Sequence, residues 1–404
     1  MSVPAQPATS AGDPAAGGTG ARTDFAGPAA GVVERILDIA RWAPSGDNSQ
    51  PWRFEICSPS HVIVHAFDTR HHCVYDLQGH ASQLSVGALL ETIRIAASVH
   101  GLTARTARRP GSPDESPLID VWLDPVPGGI AADPLHVWIP LRSVQRRPLR
   151  MRALEPVAKS RLERSVGPGF RIVWFEGMRE RLRMAWLAMR SAKIRLTIPE
   201  AYAVHRDIIE WDARYSVDRV PDQALGADPI TLSTMRWAMA SWDRVRVLNR
   251  YFGGTIAPRL QLDLIPGLRC AAHFAIVADN APIGIDARLS AGAAVQRFWL
   301  TTTSLGLQLQ PQYTPLVFAA YALNGVPFTS VESAIRRAGT VADQLRLLLG
   351  PVLERTVFLG RVGAGAAATA RSVRLPLERL QWTGQASIRR SDVHALNDSD
   401  GLRG

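Results

Sequence analysis

Two similar apolar segments, 205 residues apart, limit the folds open to this chain more than any other feature. Residues 84–102 read LSVGALLETIRIAASVHGL and residues 289–307 read LSAGAAVQRFWLTTTSLGL, with no gap between them. Both have apolar residues around nearly a whole helical circumference and end in Gly-Leu, which predicts two buried helices closed by a C-terminal glycine. A repeat predicts two similar units in one chain. The alternative, that central helices rich in small residues resemble one another, stays open.

Periodicity places further elements around these two helices. An amphipathic helix is predicted near 31–42, and several helical segments are predicted between about 178 and 250. Alternating or continuous apolar runs predict strands near 52–57, 61–66, 118–123, 171–176, 273–278 and 356–361. The resulting prediction is an α+β fold of two units, each a mixed or antiparallel sheet packed by helices around the long central helices.

The predicted domain organisation follows the repeat. Its segments are a disordered tail (1–28), a first unit (29–135), a second unit (136–385) with a helical insertion at about 178–260, and a C-terminal tail (386–404). The first segment is rich in Ala, Gly, Pro, Ser and Thr, and it lacks the cationic start and apolar run of a signal peptide.

Composition excludes several classes of protein. A chain of 404 residues that is 46% apolar can bury a large core, and no run approaches the roughly 18 apolar residues of a membrane span. Three widely spaced cysteines predict neither a disulfide framework nor a zinc site. Although the net charge is +10, arginine is spread along the chain and forms no nucleic-acid motif. We therefore expect a cytoplasmic protein without nucleic-acid or membrane partners.

A loop between two prolines offers candidate ligand contacts. Residues 43–54 read APSGDNSQPWRF, in which Ser45, Asn48 and Gln50 lie between Pro44 and Pro51. The prolines fix φ on both sides and reduce the entropy lost when those side chains are held in place. A helix-ending turn above a buried Trp52 is the structural alternative.

This loop resembles the Pro-Ser-x-x-Asn-x-Gln-Pro-Trp loop of nitroreductase-like flavoproteins, and the two LSxGA helices resemble the long central helix of that family. Such proteins are usually homodimers that hold FMN at the interface. A less common branch fuses two units in one chain, often with one flavin pocket, and this sequence resembles that branch over most of residues 30–385. The resemblance implies that Ser45, Asn48 and Gln50 reach the flavin of the other unit.

Two basic stretches complete the site that the resemblance implies. In PLRSVQRRPL (140–149), Arg142 and Arg146 match the family's two cations, although Val144 stands where the family has a hydroxyl residue. In ARSVRLP (370–376), Arg371, Ser372 and Arg374 follow the last predicted strand, where an extended chain suits a phosphate. An arginine-rich linker and a solvated tail are the respective alternatives.

The second central helix leads into GLQLQPQYTP (306–315), where the family places a backbone amide facing flavin N5. Gln310 and Pro311 are the candidates for this wall, and an ordinary strand and turn is the alternative. The second unit has no matching Pro-Ser loop, so one complete site per chain is expected. A metal site in HAFDTRHHCVYD (65–76) is not predicted, because zinc spacings are absent.

The expected function is that of an FMN-dependent oxidoreductase in which hydride passes from NADH or NADPH through flavin N5 to a small organic acceptor, without a catalytic side chain. The alternative is a protein that binds or sequesters FMN beneath a lid, with little turnover. Because the two units can bury the surface that a homodimer would share, a monomeric pseudo-dimer is expected.

Overall fold

The computed structural model describes residues 31–384, so the two predicted tails, residues 1–28 and 386–404, lie outside the described residues. Within this range the chain forms two four-stranded antiparallel sheets, and each sheet packs against a long helix. The predicted α+β fold class is confirmed. None of the described helices is long and apolar enough to cross a membrane.

The first unit contains the first sheet. Its elements are helix α1 (Val32–Ala40), strands β1 (Trp52–Ser58) and β2 (His61–Ala66), helix α2 (His80–Ser98), and strands β3 (Leu102–Arg108) and β4 (Leu118–Pro125). The strands lie in the order β1-β2-β4-β3. Helix α1 buries Val33, Ile36 and Leu37 in the core of this unit, because apolar residues three and four positions apart share one helical face.

The second unit opens with helix α3 (Pro156–Ser165) and strand β5 (Phe170–Phe175). A long insertion then precedes the next strand of the sheet. The insertion comprises α4 (Met178–Arg195), α5 (Pro199–Ile208), β6 (Ile209–Glu210), β7 (Tyr215–Ser216), β8 (Val220–Pro221), α6 (Pro229–Met239), α7 (Trp242–Tyr251), α8 (Ile256–Arg259) and α9 (Ile265–Leu268).

The rest of the second unit completes the sheet around the second central helix. Its elements are β9 (Ala272–Ala278), α10 (Gly284–Ser304), β10 (Leu307–Pro311), α11 (Thr314–Leu323), α12 (Glu332–Leu349), β11 (Thr356–Ala364) and β12 (Arg371–Ser372). The order of the sheet is β5-β9-β11-β10. Numbered along the chain within each unit, both sheets therefore run first, second, fourth, third, and a long helix joins the second strand to the third in both.

Several elements have no counterpart in the sequence prediction. Strand β3 was not predicted because it is a sheet edge, where Thr and Arg alternate and most side chains stay partly exposed. Helices α11 and α12 were not predicted either. The predicted helices at 84–102 and 289–307 are present but end earlier, at Ser98 and Ser304.

The two central helices cross at a pair of glycines. A Cβ atom on Gly87 would collide with the backbone carbonyl of Leu289, and a Cβ atom on Gly292 would collide with that of Leu84. Since these residues are related by the same offset of 205, the contact is reciprocal. Both helices are followed by a left-handed glycine, Gly101 (φ 70°) and Gly306 (φ 67°), where a side chain would be strained.

The end of the described chain returns to the first unit. Leu375, Leu377 and Leu380 pack into the hydrophobic core of that unit. The Trp382 amide donates to the Phe54 carbonyl at 2.7 Å. Residues 375–382 therefore pack with the first sheet, although they follow the second sheet in sequence.

Candidate functional site

A cavity of about 620 Å³ lies between the two units. The first unit contributes residues 44–47 and one face of α2, and the second contributes α10, β10 and the insertion. Of the residues predicted for the site, Ser45, Arg146, Gln310 and Pro311 line this cavity. About half of the cavity-lining residues come from the insertion, and most of these are apolar.

The loop before β1 has an unusual backbone. Asp47 (φ 50°), Asn48 (φ 60°) and Gln50 (φ 46°) all lie in the left-handed region, which is costly for residues other than glycine. Hydrogen bonds offset this cost. The Gln50 amide donates to the Ser45 hydroxyl oxygen at 3.1 Å, and the Asn48 and Gln50 side chains are almost completely buried.

Those two side chains bind backbone from the second unit and the C-terminal segment. Asn48 Nδ2 donates to the carbonyls of Arg219 (3.2 Å) and Val373 (3.1 Å). Gln50 Nε2 donates to the Val217 carbonyl at 2.8 Å, and Gln50 Oε1 accepts from the Leu375 amide at 3.0 Å. The side chains thus fix the loop against its neighbours, while Asn48 Oδ1 is buried without a hydrogen-bond partner.

Three predicted arginines, two buried and one partly buried, form a cluster behind the wall of the cavity. Arg142 donates to the Trp42 carbonyl at 3.0 Å, Arg371 to the Arg142 carbonyl at 3.3 Å, and Arg374 to the Ala43 carbonyl at 2.9 Å. None of the described carboxylates lies within ion-pair distance of these guanidiniums. This group of Arg142, Arg371 and Arg374 is called the arginine cluster below.

The electrostatics of the arginine cluster are unfavourable in isolation. Burial, followed by repulsion from Arg371 and Arg41, lowers the pKa of Arg374 to about 9. Burial and the other two cluster members hold the pKa of Arg142 well below its usual value. Burial also lowers the pKa of Arg371. Three cations that repel one another without an anion form a site that a phosphate would neutralise.

The cluster adjoins the cavity through aromatic and loop residues. The Arg142 guanidinium lies 4.5 Å from the centre of the Trp299 ring, and Trp299 lines the cavity. Pro44 also lines the cavity. It follows Trp42 and Ala43, whose carbonyls accept hydrogen bonds from Arg142 and Arg374. Ser372 Oγ donates to the Arg219 carbonyl at 2.8 Å and does not line the cavity.

Two further arginines line the cavity itself. Arg146 lines it, and burial lowers the pKa of Arg146. Arg361, which the sequence analysis did not identify, also lines it and is 1% exposed. Its Nη2 donates to the Arg146 carbonyl at 2.7 Å, whereas its Nη1 has no partner. Burial lowers the pKa of Arg361 to about 10. The sequence did contain a signal for Arg361, because it is the only charged residue within the apolar strand segment VFLGRVG.

Two further polar residues of the cavity were not predicted as site residues. The Tyr75 hydroxyl and Nε2 of His205 are hydrogen bonded at 2.9 Å, and both residues line the cavity. Burial, with a smaller effect of Arg195, lowers the pKa of His205 to about 3, so this imidazole is neutral near pH 7. Burial raises the pKa of Tyr75 well above its usual value. Gln310 Oε1 is buried without a partner.

The His- and Asp-rich stretch 65–76 has structural contacts. Both carboxylate oxygens of Asp76 accept hydrogen bonds, from Thr69, Ala81 and Ser82, at the start of α2. His65 pairs with Glu55 at 2.6 Å. No group of three potential metal ligands is found in the described part of the chain.

Comparison with known proteins finds similarity to one family over part of this chain. The family model described as Nitroreductase family matches residues 26–88, which include α1, the loop before β1, and the start of α2. The "Uncharacterized protein Rv3127" of Mycobacterium tuberculosis (strain H37Rv) is 39% identical over 94 residues, 22% of this chain and 27% of that protein. The "Putative NAD(P)H nitroreductase Rv3131" of the same strain is 31% identical over 120 residues, 30% of this chain and 35% of that protein.

The chain thus spans about a third or less of the length of these curated relatives. A solved structure with partial likeness is the FMN-dependent nitroreductase NfnB from Mycobacterium smegmatis in complex with NADPH, at 16% identity over 62% of this chain and 96% of that one. The TM-score of this match is 0.30. The family match and the sequence relatives support the nitroreductase superfamily for this chain.

Proposed function

We propose that this protein is an FMN-dependent oxidoreductase of the nitroreductase type, with one FMN in the cavity between the units. Hydride would pass from NADH or NADPH to a small organic acceptor. The superfamily supports this class of reaction. The cavity, at about 620 Å³, is within the usual range of about 300–1,000 Å³ for small-molecule sites.

The observation that carries the proposal is the arginine cluster. Arg142, Arg371 and Arg374 lie together without a carboxylate among the described residues, next to the loop that matches the family. A dianionic phosphate would relieve their mutual repulsion and accept charge-assisted hydrogen bonds. These residues, with Ser372 nearby, are therefore assigned to the phosphate end of the cofactor.

The cavity-lining residues are assigned to the ring end. Ser45 and Gln310 offer polar atoms, and Pro311 forms part of the wall. Arg146 and Arg361 supply positive charge, which would stabilise an anionic reduced flavin. Asn48 and Gln50 act by holding the loop in its strained conformation, since their side chains bind backbone groups.

FMN, when bound, supplies hydride acceptance and donation at its N5 position. The chain's own residues would bind and orient the donor and acceptor in turn, and the apolar insertion would exclude water from the cavity. No side chain is assigned as a catalytic acid or base.

The two units are proposed to act as an intramolecular pseudo-dimer. The shared strand order and the reciprocal glycine contact between α2 and α10 support this proposal. Since the central helices already bury each other, a monomer is the expected functional state. Sedimentation should give a mass near 44.0 kDa.

The test is the flavin content of the purified protein. The visible spectrum is recorded before and after denaturation, and released FMN is quantified against protein. About one FMN per chain is expected. Two per chain would contradict the single composite site, and none after incubation with excess FMN would contradict the function.

A second candidate function is FMN binding or sequestration with little turnover. It is favoured by the insertion, because α4 to α8 line so much of the cavity. The two candidates differ in access to the flavin. Rapid bleaching of the bound flavin by NADH or NADPH in a stopped-flow experiment supports the enzyme, and resistance to both nucleotides supports the lidded protein.

A further inference from the structure

Helices α6 and α7 each divide into a cavity face and an outer face. On α6, Thr231, Met235 and Ala238 line the cavity, at helical spacing. On α7, Val245 and Leu248 do the same. On the other side of these helices, Trp237 and Val247 are exposed to solvent, and α7 has no fully buried residue. These two helices are therefore a thin cover with one side turned to solvent.

The outer side is rich in exposed apolar residues. Ile230 is 81% exposed, Trp237 51%, Tyr251 69% and Phe252 74%. Only one other aromatic side chain in the described range, Trp186, is classed as exposed. Exposed aromatic side chains are concentrated on this cover, and such clusters mark interaction surfaces.

Arginines are interleaved with these aromatic residues. Arg244 lies 5.2 Å from the centre of the Trp237 ring, and Arg250 lies 5.6 Å from that of Tyr251. Neither arginine has a carboxylate within ion-pair distance among the described residues. By contrast, Arg246 lies 3.6 Å from Asp243. The cover therefore presents uncompensated positive charge beside exposed aromatic rings, on a chain whose net charge is +10.

The mouth of the cavity is on the same surface. Ile230 and Phe252 both line the cavity and are among the most exposed apolar residues of the chain. Gly253 (φ 62°) and Gly254 follow immediately and also line it. A molecule that leaves an apolar phase at this surface would meet an apolar passage into the site.

We propose that the outer face of α6 and α7 docks on an anionic membrane surface, with the cavity mouth turned toward the lipid. Interfacial helices combine aromatic and aliphatic residues, which enter the headgroup region, with arginines that bind anionic lipid. The two uncompensated arginines match that charge. No described helix could cross a membrane, so the attachment is peripheral.

The proposal also narrows the acceptor class. The cavity walls from α6 and α7 are mainly apolar, and they open where lipid would lie. An apolar acceptor dissolved in the bilayer, such as a lipid-soluble quinone, could then enter without crossing water. This part rests on the proposed oxidoreductase function, whereas the docking does not.

The experiment is co-sedimentation of the full-length protein with vesicles. Vesicles of phosphatidylcholine with phosphatidylglycerol are compared with pure phosphatidylcholine vesicles, at low and high salt. Binding to the anionic vesicles should be about tenfold or more stronger, and high salt should weaken it. Equal binding to both vesicle types, or binding to neither, would overturn the proposal.

Two variants test the surface. Trp237→Ser with Tyr251→Ser, and Arg244→Gln with Arg250→Gln, should each reduce binding to anionic vesicles by about tenfold. None of these four residues lines the cavity, so the flavin content should be unchanged. The controls lie outside α6 and α7. Leu347→Ser with Ile283→Ser is matched in exposure, and Arg336→Gln with Arg346→Gln is matched in charge.

Controls that lose as much binding as the variants would overturn the assignment of the surface. A dimer that is insensitive to salt and is lost in Trp237→Ser would also overturn it, in favour of an interface between copies. If vesicle binding fails while one FMN per chain is present, the docking is wrong and the proposed function stands. If flavin is absent while vesicle binding persists, the proposed function is wrong and the docking stands.

Discussion

Two concave sites are lined by residues of both units, and the two sites differ in charge. One site is the cavity described above, beside the end of α10, strand β10 and the loop before β1. The other lies beside the end of α2, strand β3 and the turn between α3 and β5, with a volume of about 670 Å³. Since the volumes are similar, size does not distinguish them.

The arginines do. In the second site, Arg297 pairs with Glu91 at 2.8 Å and with Asp133 at 2.9 Å, and Arg94 also pairs with Glu91. Its remaining arginines, Arg161 and Arg164, are exposed to solvent. In the arginine cluster beside the first site, Arg142 and Arg374 are buried and Arg371 is partly buried, and none of the three pairs with a described carboxylate. The comparison shows that, among the described residues, the three arginines of the cluster beside the first site lack a carboxylate partner, whereas Arg297 and Arg94 beside the second site have one.

The connections differ as well. In the first unit, β1 and β2 are joined by residues 59–60, whereas in the second, residues 176–271 separate β5 from β9. Conversely, an eleven-residue loop (41–51) precedes β1, while only residues 166–169 precede β5. The first unit thus supplies the loop of the first cavity, and the second unit supplies its cover.

The largest expected effect comes from breaking the contact that relates the two units. Gly87→Ala should lower the free energy of unfolding by about 3 kcal/mol, because the new methyl group meets the backbone carbonyl of Leu289 and neither can move alone. Gly292→Ala should cost about as much, since the contact is reciprocal. Urea denaturation of each variant measures this.

Gly339→Ala is the matched control, because Gly339 is also helical and has no atom within 4 Å of the added carbon. It should raise the free energy of unfolding by roughly 0.5–1 kcal/mol. A large loss for only one of Gly87 and Gly292 would show that the two helices do not play equivalent roles.

The charge difference between the two sites gives the next effect. Arg371→Gln should weaken FMN binding by about 10- to 100-fold, since a hydrogen bond to a charged group contributes about 1.5–3 kcal/mol. Arg94→Gln, in the other site, should leave the affinity unchanged. Titration with FMN, followed by quenching of its fluorescence, compares the two.

Equal losses in both variants would mean that the flavin does not distinguish the sites. The Arg371→Gln protein should be no less stable than the original without FMN, because burial disfavours the charge of Arg371 in the folded state. Thermal unfolding of both flavin-free proteins checks that the lost affinity is not a folding defect.

The smallest expected effect is on the pH dependence of stability. His205 lines the first site, and the second site has no histidine. With a folded pKa of about 3 against 6.5 when unfolded, His205 binds its proton first in the unfolded chain, so stability falls as the pH drops through this window. Between pH 7 and pH 5 its contribution to that loss is about 2 kcal/mol.

His205→Gln, which cannot ionise, should therefore lose about 2 kcal/mol less than the original protein between those pH values. Denaturant unfolding at pH 7 and pH 5 gives the difference. An identical pH dependence in both proteins would mean that His205 is not held neutral by the fold. Other buried histidines, such as His273, contribute equally to both and cancel.

Much of the fold could be predicted from local pattern. The strands near 52–57, 61–66, 171–176 and 273–278 lie within two residues of the observed ones, because their apolar periodicity is continuous. Strand β3 could not be predicted, since an edge strand need not bury its side chains. The paired central helices were predicted from their glycines, and the shared strand order extends that relation to the sheets.

The candidate site was predicted in its residue types more than in its contacts. Ser45, Arg146, Gln310 and Pro311 do line one cavity, although they are up to 266 positions apart in sequence. Asn48 and Gln50 instead bind backbone carbonyls at positions 217–219 and 373. Arg361 was missed although a single cation within an apolar strand was a signal in the sequence. The Tyr75–His205 pair could not be predicted, because its two members come from distant elements.

The sequence by itself determined most of the elements, the repeat and the two glycine-closed helices, because these depend on the conformational preferences of near neighbours. Only the tertiary structure decided which cations stay without a carboxylate and which polar side chains face the cavity. Those properties depend on desolvation and on charges brought together from remote parts of the chain. The same sheet, built twice, therefore acquires a candidate anion site once.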